Sequence, residues 1–570
     1  MSLVDLLRVG RRAVSGTQSS TSSLIWFGAA ALLHLAALVL LVATEVAVVP
    51  KLVFICTWGL LNFLFVALLR RPVFAATISF ALIAGLVVLS RFKYDVLWMT
   101  ANFIDVMILD VDTFAYLLAI VPGLWWKLGL LALVLFPAIG WILVADPFRV
   151  SRAYAAAGLA ACLGGIVGLA VMNPQEPWEA YFGDSYVSKF SRSGVTALRE
   201  RFTHGYLESD ATVTEQLRIV GDAACTPAGK PPHIIMVHDE SSFDITALPN
   251  MKVPRDYGPH FKSFDGKQRS FVVEGVGGPS WYTEYNVFAG LSARSFGNFA
   301  YFVTRIAAGR VSRGLPAALA HCGYKTMSLY PSLGAFMSAR NFQTTMGVQK
   351  FYDSKALGTL KIEPDRFFYD HALRLMQEER GASPMFMFVY LSANHYPWNH
   401  RFRPELTPEW RGLGNEPRVD EYVRRQTMSF KDYAAFKERL SKDFPGESFL
   451  IVRFGDHQPD LAAEFIEPGL KEADLARRFE SFDPRYFTTY YAIDTVNYKP
   501  VELSSALDTL DAPFLPIVVQ EAAGLPLDAS FAEQKKILLR CKGVFYGCSQ
   551  GAEARRFNRL LIDAGLIKGL

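Results

Sequence analysis

The sequence has almost no net charge for its length: a formal +4 over 570 residues. No stripe of basic and aromatic residues accompanies that small excess, so nothing argues for a nucleic-acid partner. Internal repeats and low-complexity segments are absent. The first apolar run lacks a clear small-residue cleavage site and is soon followed by a second, which excludes a cleaved signal peptide. The apolar runs also carry few central charges and show no inverted repeat, which argues against a transporter.

What is present divides the chain. The composition is 51% hydrophobic and 20% charged, and the length exceeds one ordinary core. Residues 1–175 are dominated by apolar runs, whereas residues 176–570 read as a soluble α/β protein. Five runs, Leu24–Val48, Leu52–Leu69, Val73–Leu89, Leu128–Val144 and Ala155–Met172, approach or exceed the roughly 17–25 residues that cross a bilayer as a helix. Arg8, Arg11 and Arg12 precede the first run. Arg70 and Arg71 separate the second from the third, and Arg149 and Arg152 the fourth from the fifth. With five crossings all three clusters share one side, which the positive-inside rule makes cytoplasmic. Arg91 and Lys93 on the other side reduce the bias. The chain after Met172 is then extracytoplasmic. The loop from about Ser90 to Lys127, which carries Asp105, Asp110 and Asp112, is expected to hold an interfacial or re-entrant helix, with a packed connector the alternative.

Six cysteines fit that sidedness. Cys56 and Cys162 fall in spans; Cys225, Cys322, Cys541 and Cys548 fall in the exported part. An oxidising compartment allows two disulfides, with Cys541–Cys548 the better pair and Cys225–Cys322 the remainder; free buried thiols are the alternative.

The expected organisation is a membrane domain over 1–175, a linker with a helical middle over 176–230, and an α/β domain over 231–570. From His233 onward strand and helix signals alternate, which predicts a mostly parallel central sheet. Ligands on such sheets sit beyond the carboxyl ends of strands. Glu240, His395, Asp456 and His457 all follow strand-like runs. In "FGDHQPD", Gly455 lets the backbone turn closely before Asp456 and His457, a carboxylate and an imidazole able to share a metal. Glu240 has the same position at an earlier strand end, with Asp239 beside it. In "VEGVGGPSWYTEYNVFAGL", Ser280 opens a predicted helix. Its hydroxyl is either a helix cap or, beside a metal, a nucleophile. Thr283 is the rival hydroxyl, and Glu284 either positions one of them or caps the helix. Arg340 matches phosphate oxygens through its planar fork, and His395 can donate to a phosphoryl oxygen or shuttle a proton.

Together these motifs resemble the alkaline phosphatase and sulfatase superfamily, in its lipoteichoic acid synthase and phosphoglycerol transferase branch. The likeness runs loosely through the five spans and more closely through residues 231–462. It rests on "DES" at Glu240, Ser280 with Glu284, Asn394-His395-Tyr396-Pro397, Arg340, and Gly455-Asp456-His457. The resemblance implies a five-span membrane protein of the bacterial inner membrane with an extracytoplasmic sulfatase-like domain. It further implies that Glu240, Ser280, Asp456 and His457 bind one divalent ion, manganese first, with zinc or magnesium possible. Arg340 and His395 would hold the substrate phosphate. The implied reaction moves phosphoglycerol from phosphatidylglycerol, or another phospholipid donor, to an exported glycan or polymer. Phosphoethanolamine transfer, hydrolysis and a non-catalytic sensor are the alternatives. Two residues depart from the family: Ser280 stands where lipoteichoic acid synthase has threonine, and Ser338 where it has tryptophan. "GGPSWYTE" lacks the Cys/Ser-x-Pro-x-Arg signature of sulfatases, which argues against sulfate esters.

Overall fold

The computed structural model describes residues 20–97, 99–217 and 225–570; Arg8, Arg11 and Arg12 lie outside them. Two compact units emerge. One holds the described residues up to Asp110 with Leu117–Thr203; the other holds Val111–Tyr116 and His204–Leu570.

The first unit contains five helices long and apolar enough to cross a membrane: α1 (Ser20–Thr44), α2 (Val48–Leu69), α3 (Pro72–Leu97), α4 (Leu124–Ala145) and α5 (Arg152–Met172). Leu32, Val39 and Leu133 are among many large apolar residues left mostly exposed on them. That suits a hydrocarbon solvent, in which a helix satisfies every backbone group internally. The two basic turns lie together: Val150 N–H donates to the Arg70 carbonyl at 3.0 Å, and Arg152 Nε to the Ala67 carbonyl at 3.2 Å. α3 continues past its apolar run through Arg91 and Lys93, and Lys93 pairs with Asp105 at 2.8 Å. Asp105 and Asn102 form a capping box that starts the helix Phe103–Met107. The expected interfacial segment thus holds two short helices, Phe103–Met107 and Val111–Ile120. The helical middle of the linker is α6 (Tyr186–Thr203), whose first turn donates from Val187 N–H and Ser188 Oγ to the Glu45 carboxylate at 3.1 and 2.6 Å.

The second unit is built on an eight-stranded sheet, β1 (His233–Asp239), β2 (Arg269–Val272), β3 (Lys325–Leu329), β4 (Lys350–Tyr352), β5 (Met385–Tyr390), β6 (Phe449–Gly455), β7 (Thr488–Val496) and β8 (Thr509–Asp511). The order is β4-β3-β5-β1-β6-β7-β2-β8. Only β7 runs against the rest, being antiparallel to both β6 and β2. The central strands are buried on both faces, which explains their unbroken apolar runs. Ile235, Val237, Met387, Val389 and Ile451 face α8 (Asp365–Glu378) and α9 (Pro417–Asp443) through Phe368, Leu373, Phe436 and Leu440. On the other face Phe388 meets Phe288 of α7 (Ser280–Ala289) edge-on at 4.7 Å. Each such large side chain contributes about 1.5–3 kcal/mol by burial. Disulfides join Cys225 to Cys322 and Cys541 to Cys548, while Cys56 and Cys162 are free.

Candidate active site

β1 lies between β5 and β6, and its register sets Asp239 against Gly455 and His238 against both Phe454 and Tyr390. The next residues along the two strands, Glu240 and Asp456, therefore leave the sheet side by side. Ser241 follows with φ +50, a left-handed conformation that non-glycine residues seldom adopt. This turn aims its N–H at Asp456 Oδ1 (2.7 Å), which also accepts the His457 N–H at 2.9 Å. The tightness explains Gly455: a Cβ there would lie 1.7 Å from the Ser242 carbonyl oxygen.

The loop before α7 brings in the hydroxyl. Gly277 takes φ +66, and its N–H donates to the Gln458 carbonyl at 3.2 Å, tying this loop to the turn after β6. Ser280 is then the first residue of α7 and does not cap it. Its Oγ instead lies 3.4 Å from Glu240 Oε2 and 3.3 Å from His457 Nε2. The rival hydroxyl is committed elsewhere, Thr283 Oγ1 donating to the Asp456 carbonyl at 2.6 Å. Glu284 is buried and accepts from Gln343 at 2.9 Å; burial pushes its carboxyl up to about 7. Asp239 turns to the opposite side of β1, where Tyr490 donates to it at 2.6 Å.

Four of the expected site residues, Glu240, Ser280, Asp456 and His457, thus converge. His457 Nε2 lies 3.6 Å from Glu240 and 3.4 Å from Asp456. Its Nδ1 donates to the Gln458 carbonyl at 2.8 Å, which leaves Nε2 the lone-pair nitrogen of the neutral ring and directs it into the cluster. Tyr390 donates to Glu240 Oε2 at 3.1 Å and Ser241 Oγ to Oε1 at 2.8 Å. Burial alone would raise Asp456, but the imidazoles of His457 and His238 hold its carboxyl well below the usual range. Burial would lower His457, but Asp456 and Glu240 raise it. Asp456 Oδ2 is buried with no hydrogen-bond partner. A stranded carboxylate oxygen facing a second carboxylate and an imidazole fits a bound cation. The residues that would hold it are Glu240, Asp456 and His457, with Ser280 beside them. The sequence reading missed one further side chain, His238, which lies with Glu240 and Asp456 in a group able to hold a metal ion.

Two expected residues stand outside this cluster. His395 is exposed on the loop after β5, with Nδ1 donating to the Tyr396 carbonyl at 2.7 Å. Asn394 tethers that loop to the site through the Ser241 carbonyl at 3.3 Å, and Arg425 donates to the His395 carbonyl at 2.8 Å. Arg340 pairs with Asp353 at 2.7 Å with its side chain 48% exposed. Among the described residues, no contact joins it to the four converging groups.

Residues 259–477 match the sulfatase family model. This stretch includes Ser280, Arg340, His395, Asp456 and His457 but begins after Glu240. With its mostly parallel eight-stranded sheet, the α/β unit matches a sulfatase-like fold. With its five apolar helices, the chain is a multi-pass inner-membrane protein whose large α/β domain is extracytoplasmic. No curated protein matches it. Among solved structures it is similar to the phosphoglycerol transferase GacH of Streptococcus pyogenes in complex with sn-glycerol-1-phosphate, at 17% identity and TM-score 0.46 over 60% of this chain and 87% of that one. It is also similar to the lipooligosaccharide phosphoethanolamine transferase A of Neisseria meningitidis, at 12% identity and TM-score 0.42 over 85% of this chain and 97% of that one.

Proposed function

We propose that this protein is a metal-dependent phosphotransferase that moves a phosphorylated head group from a membrane phospholipid to an exported acceptor through a covalent Ser280 intermediate. The observation that carries this reading is the Ser280 hydroxyl. It opens a helix without capping it and lies within 3.4 Å of both Glu240 and His457. A divalent ion held by Glu240, Asp456 and His457 would supply the positive charge that favours the serine alkoxide and offsets charge on the phosphoryl oxygens. Ser280 Oγ attacks phosphorus, the bond to the diacylglycerol oxygen breaks, and the leaving alcohol takes a proton. An acceptor hydroxyl on a glycan or other polymer then attacks the same phosphorus and Ser280 leaves. His395, exposed beside the site, is suited to the proton transfers. Arg340, once turned from Asp353, offers its fork to phosphate oxygens. Anchoring in the bilayer keeps enzyme and lipid donor on one surface and lowers the entropic cost of their encounter.

Two head groups satisfy this chemistry: phosphoglycerol from phosphatidylglycerol and phosphoethanolamine from phosphatidylethanolamine. The test incubates detergent-purified protein with each labelled lipid, with and without chelator, followed by mass analysis of Ser280. The expected result is chelator-sensitive attachment of one head group to Ser280. Attachment of neither, with label released to water by the Ser280→Ala variant as fast as by the parent protein, refutes the covalent route.

A further inference from the structure

His238 has no role in the reaction above, and its surroundings require one. It is the second-last residue of β1, two positions before Glu240, which opens the turn after the strand. The ring is fully buried. It stacks on Tyr390 at 3.8 Å and meets Phe454 edge-on at 5.3 Å. Neither of its nitrogens has a hydrogen-bond partner. Buried polar nitrogens are rarely left without a partner, because an unsatisfied one keeps its full desolvation penalty. A polar atom beside it is equally unserved: Nε2 lies 3.1 Å from Asp456 Oδ2, and the two do not align as a hydrogen bond. Asp456 Oδ1 is already taken by two backbone N–H groups, so Oδ2 is the atom left for another purpose. His238, Glu240 and Asp456 each offer a ligand atom, all within 4.8 Å of one another.

We propose that His238 is a ligand of the divalent ion, joining Glu240, Asp456 and His457 so that two imidazoles and two carboxylates hold the cation next to Ser280. This deepens the metal-dependent reading above and rests on it. The consequence is chemical selectivity. Two nitrogen and two oxygen donors suit zinc, whereas an oxygen-dominated set suits magnesium and manganese. Nε2 and Asp456 Oδ2 then have one explanation, since each offers a lone pair that a cation would engage; Nδ1 stays without a partner. The competing role is that of a positioning residue, with His238 merely donating an N–H to Asp456.

Zinc and manganese binding to the metal-stripped, detergent-solubilised full chain separates the two. X-ray absorption of the zinc-loaded protein counts coordinated imidazoles without any substitution. Two imidazoles in the parent protein, one in His238→Gln and one in His457→Gln, support the proposal. Zinc affinity should also fall more than about 100-fold in His238→Gln, beyond the roughly 10–100-fold that follows loss of an outer hydrogen-bonding partner. The preference for zinc over manganese should narrow with it. A single imidazole in the parent protein, lost in His457→Gln, overturns direct ligation by His238 and leaves the proposed function standing. Absence of stoichiometric metal from the parent protein overturns both.

Discussion

Replacing Gly455 by alanine tests whether close approach of β6 to the turn after β1 builds the site. The added Cβ would meet the Ser242 carbonyl oxygen at 1.7 Å and the Thr489 side chain at 3.2 Å, whereas real Cβ contacts essentially never fall under 3.0 Å. The carbonyl belongs to the backbone, so no rotamer change relieves the clash, and the two segments must part by more than an ångström. Forcing a methyl into a packed interior costs about 1–3 kcal/mol. Because backbone must move here, we expect the upper end, about 3 kcal/mol. The separation would also carry Glu240 and the Ser241 N–H away from Asp456, and a misplacement of about 1 Å can cost on the order of 100-fold in rate. Denaturant unfolding gives the first quantity, and zinc titration with Ser280 labelling gives the second. Gly278→Ala is the control for stability, since nothing lies within 4 Å of a Cβ at that position. If Gly455→Ala unfolds at the parent's midpoint and binds metal normally, the argument from close approach is wrong.

Three further outcomes follow from other parts of the unit. Thr283→Val should lose the hydrogen bond to the Asp456 carbonyl, cost about 1 kcal/mol of stability, and still label at Ser280; loss of the label with intact folding would make Thr283 the nucleophile. Asp365 accepts the Ala393 N–H at 3.1 Å, and burial, with Asp239 adding, pushes its carboxyl up to about 7. Its folded form holds a proton that the unfolded chain has released, so its contribution to stability falls as pH rises from about 4 to about 7, by up to ~4 kcal/mol. Asp365→Asn should flatten that fall in unfolding measured across the range, and an unchanged slope would contradict it. Replacing Cys225 and Cys322 by serine removes a crosslink spanning 97 residues and should lower the unfolding temperature, with a chain-entropy limit of about 5 kcal/mol; an unchanged transition would show that the bridge constrains nothing in the unfolded state.

How far the sequence reveals this molecule depends on which physical signal each part leaves. The spans are legible because hydrocarbon demands unbroken apolar length, although α3 outruns its apolar run by pairing Lys93 with Asp105. β1, β5 and β6 are legible because a parallel strand buried on both faces reads as a continuous apolar stretch. β7 escapes that signal. Its residues Tyr490, Tyr491 and Asp494 are buried but polar at their tips, and each finds a partner only in the folded sheet: Asp239, the Leu507 carbonyl and Arg453 respectively. Glu240, Ser280, Asp456 and His457 stand out because each follows a strand end or opens a helix, where backbone geometry exposes a side chain to a ligand. Arg340 carries no such positional signal, and in the fold its guanidinium is held by Asp353.

His238 shows the same limit from the other side. Within "HIIMVHDES" it occupies the last turn of an apolar strand, and nothing in that string separates a ring packed among aromatics from a ring aimed at a cation. The difference arises from register. Pairing with β5 places Tyr390 alongside His238, and pairing with β6 places Phe454 there, one residue pair before Asp239 and Gly455. The aromatic walls occupy the ring's faces and edge without offering its nitrogens a hydrogen bond, and Asp456, the residue after β6, supplies an oxygen in the same condition. A sheet that places two unsatisfied polar atoms 3.1 Å apart in an interior this well packed does so at a cost in stability unless a third body joins them. That cost makes the apo protein the informative state. If a cation is the missing partner, zinc should raise the unfolding temperature of the parent chain by more than that of His238→Gln.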